Sequence, residues 1–344
     1  MVVVDEIAEK EAAATGMAAP SQSTVRIIEA LRQLGYETVE LALQEHRIHE
    51  WVKRLASDRF DFAFNLCETV AGHAEGEHLA AATMELLKLP KTGASAATLL
   101  YCLDKDRCAA VLRSHGIPVP DWALVYTQDA PPADWNQFPA IVKPAADDAS
   151  NGVHPGSVVE SAGELAGALE RIRPHWKRAV VQQFIEGREI NLAIVGNHLL
   201  PPAEIDFSRL PDDSPPIVSF EAKWMTGSPE DLGTQPICPA PLSDNEARRL
   251  QLLAGRAWAL MEGRGYARVD IRIAADGAPY VIDINPNPDL SVDAGLARQA
   301  RVAGWSFTDL IHRIVDSALA TNGKATAERE WVFLRPVEKL GDAR

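Results

Sequence analysis

Two apolar segments, YARVDIRI and APYVIDINP, flank an Asp-Gly dipeptide. β-Branched and aromatic residues on both sides of Asp-Gly are typical of two antiparallel strands joined by a two-residue turn. A hairpin centred on that dipeptide places Asp270 opposite Asp283 and Arg268 opposite Asn285. The sequence therefore predicts an antiparallel sheet that gathers charged and amide side chains.

These polar side chains are expected to converge, because alternation places Val281, Asp283 and Asn285 on one face of their strand. Directly opposed carboxylates lie about 5 Å apart, and at an effective dielectric of about 20 their repulsion costs roughly 3 kcal/mol. A bound cation would remove that cost, and the oxygen donors of Asp270, Asp283 and Asn285 suit Mg²⁺. The alternative is a solvated polar face on which Arg268 neutralises one carboxylate.

Composition and spacing exclude several classes of protein. The chain has 344 residues and 47% apolar residues, so two or three domains with sizeable cores are expected. Its 34 basic and 48 acidic residues give a net charge of −14, which argues against nucleic acid or an anionic membrane as the main partner. No leader or membrane-length apolar run is apparent, so a cytoplasmic location is expected. The four cysteines and nine histidines show neither CxxC nor HExxH spacing, so neither a disulfide framework nor a zinc site is indicated.

The order of predicted strands and helices divides the chain into three units and a tail. They are a Rossmann-like α/β unit, a small α+β unit, a strand-rich unit and a polar tail that packs peripherally, spanning residues 1–100, 101–185, 186–320 and 321–344. In the third unit Ser243 and Glu246 form a capping box before a long amphipathic helix. Neither GxGxxG nor GxxxxGK[ST] occurs, so phosphate binding needs another device.

Three lysines and one loop of small residues could supply that device. Lys105 lies in LDKDR, Lys143 ends the predicted strand FPAIVKP, and Lys223 lies in FEAKW. Three cations from separate segments of an acidic chain could clamp a polyphosphate together with a metal. The loop AADDASNGV adds Ser150 among small residues whose backbone N–H groups could close over phosphate. Taken alone, each lysine could equally be a solvated surface residue.

Six ordered segments resemble the ATP-grasp enzymes, and in particular their D-alanine:D-alanine ligase-like branch. The segments are LDK, IVKP with DDASNGV, QQFIEGREINLAI, EAKW, ARVDIRI and VIDINPNPDLS, within roughly Phe60 to Leu319. The resemblance implies an α/β (α+β) ATP-grasp fold, with a Rossmann-like N-terminal domain followed by central and C-terminal ATP-grasp subdomains. It also implies ATP and Mg²⁺ as cofactors, with Mn²⁺ as an alternative ion. The implied chemistry converts a carboxylate to an acyl phosphate, which an amine then attacks.

By motif position, the resemblance assigns roles around the phosphates. Lys105 and Lys143 would contact ATP phosphates, Ser150 would lie on a flap above them, and Lys223 would reach the γ-phosphate. The magnesium ligands and the arginine that steadies the tetrahedral intermediate would be Asp270, Asp283, Asn285 and Arg268.

The resemblance also assigns the adenosine pocket. Gln182 would meet the adenine amino group where the family commonly has Glu. Phe184 and Ile185 would form the hinge beneath the base, and Glu189 would bind the ribose hydroxyls.

Departures from the family concern the substrates. In the family, a Pro-Gly pair and a downstream Ser-Leu that holds the acceptor carboxylate follow the metal ligands. Here the run is PNPDLSVDAGLARQA, with Asp289 in place of the glycine and Ser291 as a further substrate candidate. A carboxylate at that point would repel an acceptor carboxylate or attract an amine, although Asp289 could instead cap the following helix. The family's donor-binding glutamate has no apparent counterpart, so Glu68 and Glu75 are candidate substitutes.

The sequence is compatible with three functions. The favoured one is an ATP-dependent carboxylate–amine ligase that joins small amino-acid-like substrates and is not a strict D-alanine:D-alanine ligase. The alternatives are an ATP-grasp phosphotransferase and a non-catalytic nucleotide-binding regulator. Arg268 beside the metal favours the ligase, because an acyl intermediate needs a donor for its oxyanion. The expected partners are a small-molecule carboxylate and amine, with no nucleic acid and no membrane, and a homodimer is left open.

Overall fold

The computed structural model describes residues 2–6, 21–320 and 330–337. The described residues form three sheets, each packed against helices. Within these residues, no helix is long and apolar enough to cross a lipid bilayer.

The first sheet is parallel and matches the Rossmann-like expectation. Its strands β1 (Val2–Glu6), β2 (Val39–Leu43) and β3 (Ala63–Asn65) lie in the order β2-β1-β3. Helices α1 (Gln22–Gln33) and α2 (Ile48–Ser57) each present buried apolar side chains. Successive parallel strands need such crossover helices, because the end of one strand and the start of the next lie at opposite ends of the sheet.

Three helices lead from the first sheet towards the second. They are α3 (Glu77–Leu86), α4 (Ala96–Leu103) and α5 (Lys105–Ser114). Asp104 separates α4 from α5, and its side chain accepts a hydrogen bond from the backbone of the new helix as its N-cap. Lys105 is therefore the first residue of α5, at a fixed bend in the chain.

The second sheet is antiparallel, and α6 (Ala162–Ile172) covers one face of it. Its order is β4-β7-β5-β6, formed by Trp122–Tyr126, Arg178–Gln183, Ala140–Pro144 and Val158–Val159. Apolar side chains of α6 and of the strands form one core cluster. The opposite face of this sheet is free to line a site.

The third sheet is the largest. Its strands are β8 (Gly187–Val195), β9 (His198–Leu199), β10 (Ala203–Asp206), β11 (Gln235–Ile237), β12 (Tyr266–Ala274), β13 (Pro279–Asn285) and β14 (Val332–Phe333). The main path is β11-β10-β8-β12-β13, while β9 pairs with β8 and β14 pairs with β9. The described part of the predicted tail, residues 330–337, thus adds an edge strand, and residues 321–329 and 338–344 lie outside the described residues.

Five further helices belong to the third sheet or its margins. They are α7 (Phe220–Trp224), α8 (Pro229–Gly233), α9 (Asp244–Leu260), α10 (Gly295–Val302) and α11 (Phe307–Ala320). The predicted capping box of Ser243 and Glu246 is confirmed at the start of α9. Helix α11 packs against α1 in a shared apolar cluster, which docks the first sheet's helices onto the third unit.

The hairpin of β12 and β13 has the predicted pairing at its polar end. Arg268 lies opposite Asn285, and Asp270 lies opposite Asp283. The predicted two-residue turn is wrong, because the ladder closes with a backbone hydrogen bond from Ala274 to Ala278 and leaves residues 275–277 in the loop. A three-residue hairpin loop commonly ends in a left-handed glycine, and the last loop residue, a glycine, has a φ of +83°.

A β-bulge restores the predicted register. Ile271 faces Val281 whereas Asp270 faces Asp283, so Ile282 has no partner in the ladder. The prediction that Val281 shares a face with Asp283 is therefore wrong: Val281 packs in the apolar core, and Ile282 lines the cavity beside Asp283. An extra residue reverses the alternation of all residues on one side of it.

Candidate active site

A cavity of about 600 Å³ lies between the second and third sheets. It brings together most of the residues that the sequence suggested, and its lining includes Lys105, Lys143, Ser150, Gln182, Phe184, Ile185, Glu189, Lys223, Arg268, Asp270 and Asp283. Asn285 is buried two residues after Asp283 on the same strand. The cavity is open to the outside and carries both positive and negative side chains.

The floor of the cavity consists of alternate residues from two neighbouring strands. On β12 these are Arg268, Asp270 and Arg272, and on β8 they are Glu189 and Asn191. Residues two apart on a strand share a face, while the residues between them are buried in the core of the third sheet. The strands therefore present a polar row to the cavity and an apolar row to α9.

One end of the cavity combines aromatic, amide and acidic groups. Arg272 donates to the Glu189 carboxylate at 2.9 Å and to the backbone oxygen of Ile185 at 3.0 Å, and its guanidinium carbon lies 4.6 Å from the centre of the Phe184 ring. Gln182 is buried on the facing sheet. Burial raises the pKa of Glu189, although Arg272 opposes this shift. Arg272, which the sequence reading missed, orients Glu189.

Two of the three lysines are held at the opposite wall. Lys105 Nζ donates to the backbone oxygen of Asp147 at 2.6 Å and lies 3.8 Å from Asp283 Oδ1. Lys143 Nζ lies 3.4 Å from the backbone oxygen of Ile282. Burial lowers the pKa of Lys143 to about 8. For Lys105 burial acts in the same direction, but Asp283 and neighbouring acids outweigh it and raise the pKa.

The paired carboxylates are already partly neutralised. Arg268 donates to both oxygens of Asp270, at 2.8 and 2.9 Å, and Asn191 Nδ2 donates to Oδ1 at 2.8 Å. The arginine-paired arrangement that the sequence left as an alternative is thus present at Asp270. Burial alone would lower the pKa of Arg268, but the Asp270 pair outweighs it and raises that pKa.

The donor set still suits a hard cation. Asp270, Asp283 and Asn285 supply only oxygen atoms, and Asn285 Oδ1 is oriented by the backbone N–H of Asn287 at 2.8 Å. The described part of the chain contains no group of three or more His, Cys, Asp or Glu side chains that could hold a metal. A cation here would therefore rely on two carboxylates, one amide and outside ligands, and Asp270 would share oxygens that Arg268 and Asn191 now contact.

The loop after β5 forms the flap over this wall. Ala149 and Ser150 both have left-handed backbones, with φ of 56° and 61°, which side-chain-bearing residues rarely adopt. Two contacts tie the loop to the segment around α7: Ser150 Oγ donates to the backbone oxygen of Val218 at 2.9 Å, and Trp224 Nε1 donates to that of Ala149 at 2.9 Å. These contacts join the flap to the segment that carries Lys223.

Four of the predicted substrate residues do not line this cavity, namely Glu68, Glu75, Asp289 and Ser291, whereas Arg268 does. Asp289 is exposed, and its Oδ1 accepts hydrogen bonds from Ser291 N at 2.7 Å and Ser291 Oγ at 2.6 Å. Helix α10 has Ala294 as its N-cap without a side-chain bond, so Asp289 does not cap it. Glu75 lines a neighbouring cavity of about 730 Å³, and Glu68 lies near enough to a buried glutamate to influence its pKa.

That buried glutamate belongs to a junction that the sequence reading missed. Asn287 Nδ2 donates to Glu77 Oε1 at 2.8 Å and to the backbone oxygen of Cys67 at 3.1 Å, while its Oδ1 accepts from Tyr266 at 2.8 Å. Burial raises the pKa of Glu77 to about 8. The only sequence signal was the second amide in NPN. No local pattern in the sequence indicated that α3 would contact the end of β13.

Comparisons with known proteins show what the chain is similar to. Residues 111–316 match the family model described as D-ala D-ala ligase C-terminus. An uncharacterised protein of Sinorhizobium fredii is 28% identical over 85% of this chain and 86% of its own length. A D-alanine–D-alanine ligase of Oleidesulfovibrio alaskensis is 29% identical over 78% of this chain and 82% of its own length.

A solved structure extends the comparison to the fold. D-alanine–D-alanine ligase from Bacillus anthracis, complexed with ATP, superposes with a TM-score of 0.72 at 23% identity, covering 93% of this chain and 98% of that one. The family model spans more than half of the chain. The chain therefore belongs to the D-ala D-ala ligase C-terminus family and is an ATP-dependent ligase with the ATP-grasp fold.

Proposed function

We propose that this protein joins a small carboxylate to a small amine at the expense of ATP, with Mg²⁺ as the metal and Mn²⁺ as a substitute. The observation that carries this proposal is the convergence of Lys105, Lys143 and Lys223 with Asp283 and Arg268 on one cavity. The lysine ammonium groups can neutralise phosphate charge, and Arg268 can donate hydrogen bonds to an oxyanion. The relative from Oleidesulfovibrio alaskensis is named a D-alanine–D-alanine ligase, which supports the reaction class.

The proposed reaction has two steps. A carboxylate oxygen of the donor attacks the γ-phosphorus, the bond from that phosphorus to the β–γ bridging oxygen breaks, and ADP leaves. The amine nitrogen of the acceptor then attacks the acyl carbon, orthophosphate leaves with the electrons of the carbon–oxygen bond, and the nitrogen loses a proton. Arg268 would donate to the oxyanion of the tetrahedral intermediate.

The cavity residues would divide the work of binding ATP. Glu189, oriented by Arg272, would bind the ribose hydroxyls, and Gln182 would meet the adenine edge over Phe184. Asp270, Asp283 and Asn285 would hold Mg²⁺, which when bound neutralises charge on the transferring phosphoryl group.

The acceptor is proposed to differ from D-alanine in the way its carboxylate is held. In the family, a serine in the segment that corresponds to PNPDLSVDAGLARQA holds the acceptor carboxylate. In this chain the backbone N–H and the hydroxyl of Ser291 both donate to Asp289. The chain thus supplies its own carboxylate to those donors. An incoming carboxylate would meet a negative charge and no available donor there.

A screen for activated carboxylates tests the proposed function. Amino acids and related carboxylates are each incubated with ATP, Mg²⁺ and hydroxylamine, which traps an acyl phosphate as a hydroxamate. We expect hydroxamate and orthophosphate to form together for at least one donor. A phosphotransferase would instead give a stable phosphorylated product, and a regulator would give neither.

Assembly and location are also proposals. Leu79 and Leu86, which are 52% and 82% exposed, are seven residues apart and lie on the same side of α3. Tyr101 on the neighbouring α4 is 50% exposed. An apolar face of this kind favours association, which supports a homodimer. A cytoplasmic location fits the use of ATP and the absence of a disulfide among the described cysteines.

A further inference from the structure

We infer that Arg298 holds the carboxylate of the acceptor, at a point in the cavity distinct from the Ser291 position. This inference rests on the proposed ligase function and adds a residue that determines its specificity. Arg298 lies on α10 and lines the cavity together with Gln299. Neither residue belongs to the ATP or metal groups described above.

The register of the third sheet shows which end of the cavity these residues occupy. Arg272, Asp270 and Arg268 follow one another towards the start of β12, each pair separated by about 7 Å along the strand. Ala193 pairs with Arg268 on the adjacent strand, and its N–H donates to Gln299 Oε1 at 2.9 Å. Gln299 therefore lies at the level of Arg268 along the strands, beyond the ribose and metal positions, on the side of β8 that faces away from β12. An acceptor amine that attacks the acyl carbon must approach from this end.

Gln299 gives an independent sign that a ligand binds here. Its side chain is fully buried, with 0% exposure, and Oε1 is satisfied by the strand. Its Nε2 has no hydrogen-bond partner in the described structure. A buried amide donor left without a partner is destabilising. Because Gln299 also lines the cavity, this donor fits a site that is completed by an acceptor oxygen.

Arg298 supplies the charge for that site. One of its terminal nitrogens donates to the backbone oxygen of Asp293 at 2.7 Å, which anchors the guanidinium at the start of α10. Within the described residues it forms no ion pair. A guanidinium anchored through one nitrogen can still donate to a carboxylate through its others. The Asp293 side chain is exposed at the cavity rim and is the negative group nearest to Arg298 in sequence.

The expected ligand class is an amine that carries a carboxylate, which means an amino acid. Its carboxylate would bind Arg298 and Gln299, and its amine would point towards Arg268. The acceptor carboxylate would bind at Arg298 and Gln299 and would be repelled at Asp289. The acceptor would therefore bind in a different orientation from one whose carboxylate is held by the family's serine.

The test compares each acceptor with its carboxamide, which keeps the amine and removes the charge. Glycine, the common L-amino acids and D-alanine are each assayed beside the matching carboxamide, using a donor from the hydroxamate screen. We expect the wild-type protein to prefer the acid by at least about 10-fold in kcat/KM, as the loss of a charge-assisted bond predicts. In Arg298→Gln that preference should fall to within about twofold, and Arg298→Lys should keep part of it.

Arg301→Gln is the matched control. Arg301 lies on the same helix and also donates to a backbone oxygen of the preceding loop, that of Val292 at 2.9 Å, but it does not line the cavity. The preference for the acid should persist in this variant. The ratio within one variant cancels any general loss of activity.

The outcomes separate the two claims. Equal use of acids and carboxamides by the wild-type protein, or an unchanged preference in Arg298→Gln, would overturn the Arg298 site and leave the ligase function standing. Absence of acceptor-dependent orthophosphate release with every pair would overturn the ligase function and this site with it.

Discussion

At the scale of single residues, the ionisable groups of the cavity and its surroundings were only partly predictable. Lys105, Lys143 and Asp283 stand in recognisable motifs, so their side chains could be chosen from the sequence. Arg272 and Asn287 could not, because the Arg272 contact to Glu189 spans 83 residues and the Asn287 contact to Glu77 spans 210. Partners so distant in sequence are known only once the elements have packed.

Lys143 predicts a pH dependence of ATP use. Burial lowers its pKa to about 8, so the free protein loses this charge above that pH. Because kcat/KM reports ionisations of the free protein, kcat/KM for ATP should fall about tenfold per pH unit above about pH 8. In Lys143→Arg the decline should disappear, since guanidinium stays charged. A profile that is flat to pH 9.5, or the same decline in Lys143→Arg, would assign the effect elsewhere.

Glu77 predicts a pH dependence of stability. Its pKa is raised to about 8 in the folded chain from an ordinary value of 4.5. The folded state therefore holds the proton more tightly, and this contribution is complete below about pH 4.5 and lost as pH rises through 8. The shift corresponds to at most about 5 kcal/mol. In thermal unfolding, Glu77→Gln should have a higher Tm than the wild-type protein at pH 9. At pH 5 the two Tm values should differ little.

Glu85→Gln provides the control for Glu77→Gln. Glu85 lies on the same helix, and its side chain is 41% exposed beside Lys91. Its replacement makes the same change in charge without removing a buried carboxylate. An equal gain at pH 9 in both variants would show that net charge, and not burial of Glu77, causes the effect.

At the scale of elements, the hairpin shows what a pattern can and cannot predict. The pairing of Asp270 with Asp283 followed from the Asp-Gly signal and was confirmed. The bulge at Ile282 was not predictable, because a three-residue loop and a bulge together give the same pairing as a two-residue turn. The consequence is that Val281 enters the core and Asp283 reaches the cavity.

The flap gives a prediction at this scale. Gly152 has a φ of +72°, and a Cβ there would lie 2.8 Å from Pro144 and 2.9 Å from the Trp176 ring. Gly152→Ala should therefore displace the flap and lower kcat/KM for ATP by about tenfold or more. Gly116→Ala is the matched control, because Gly116 has a φ of +73° but nothing within 4 Å of the added carbon. Both changes carry a left-handed penalty of about 1 kcal/mol. Similar activities in the two variants would contradict a role for flap packing.

At the scale of the whole molecule, the ATP-grasp fold was predictable because its motifs are ordered along the chain. The first two sheets each lie within one predicted unit, the third sheet combines the third unit with a strand of the tail, and helix α4 crosses residue 100. The division at residues 100, 185 and 320 stays a prediction. The docking of α11 onto α1 was not predictable, since amphipathic helices do not specify their partner. The cavity between the second and third sheets is a property of this assembly, and no single segment contains it.

The proposed reaction transfers the γ-phosphate of ATP to a carboxylate oxygen in the cavity, and oxygen tracing can follow that transfer. A donor from the hydroxamate screen, labelled with ¹⁸O in its carboxylate, is incubated with ATP, Mg²⁺ and hydroxylamine, and the orthophosphate is analysed by mass spectrometry. We expect one ¹⁸O atom in each orthophosphate formed, and loss of this product in folded Asp283→Asn. Orthophosphate without the label, or undiminished labelling in Asp283→Asn, would contradict it.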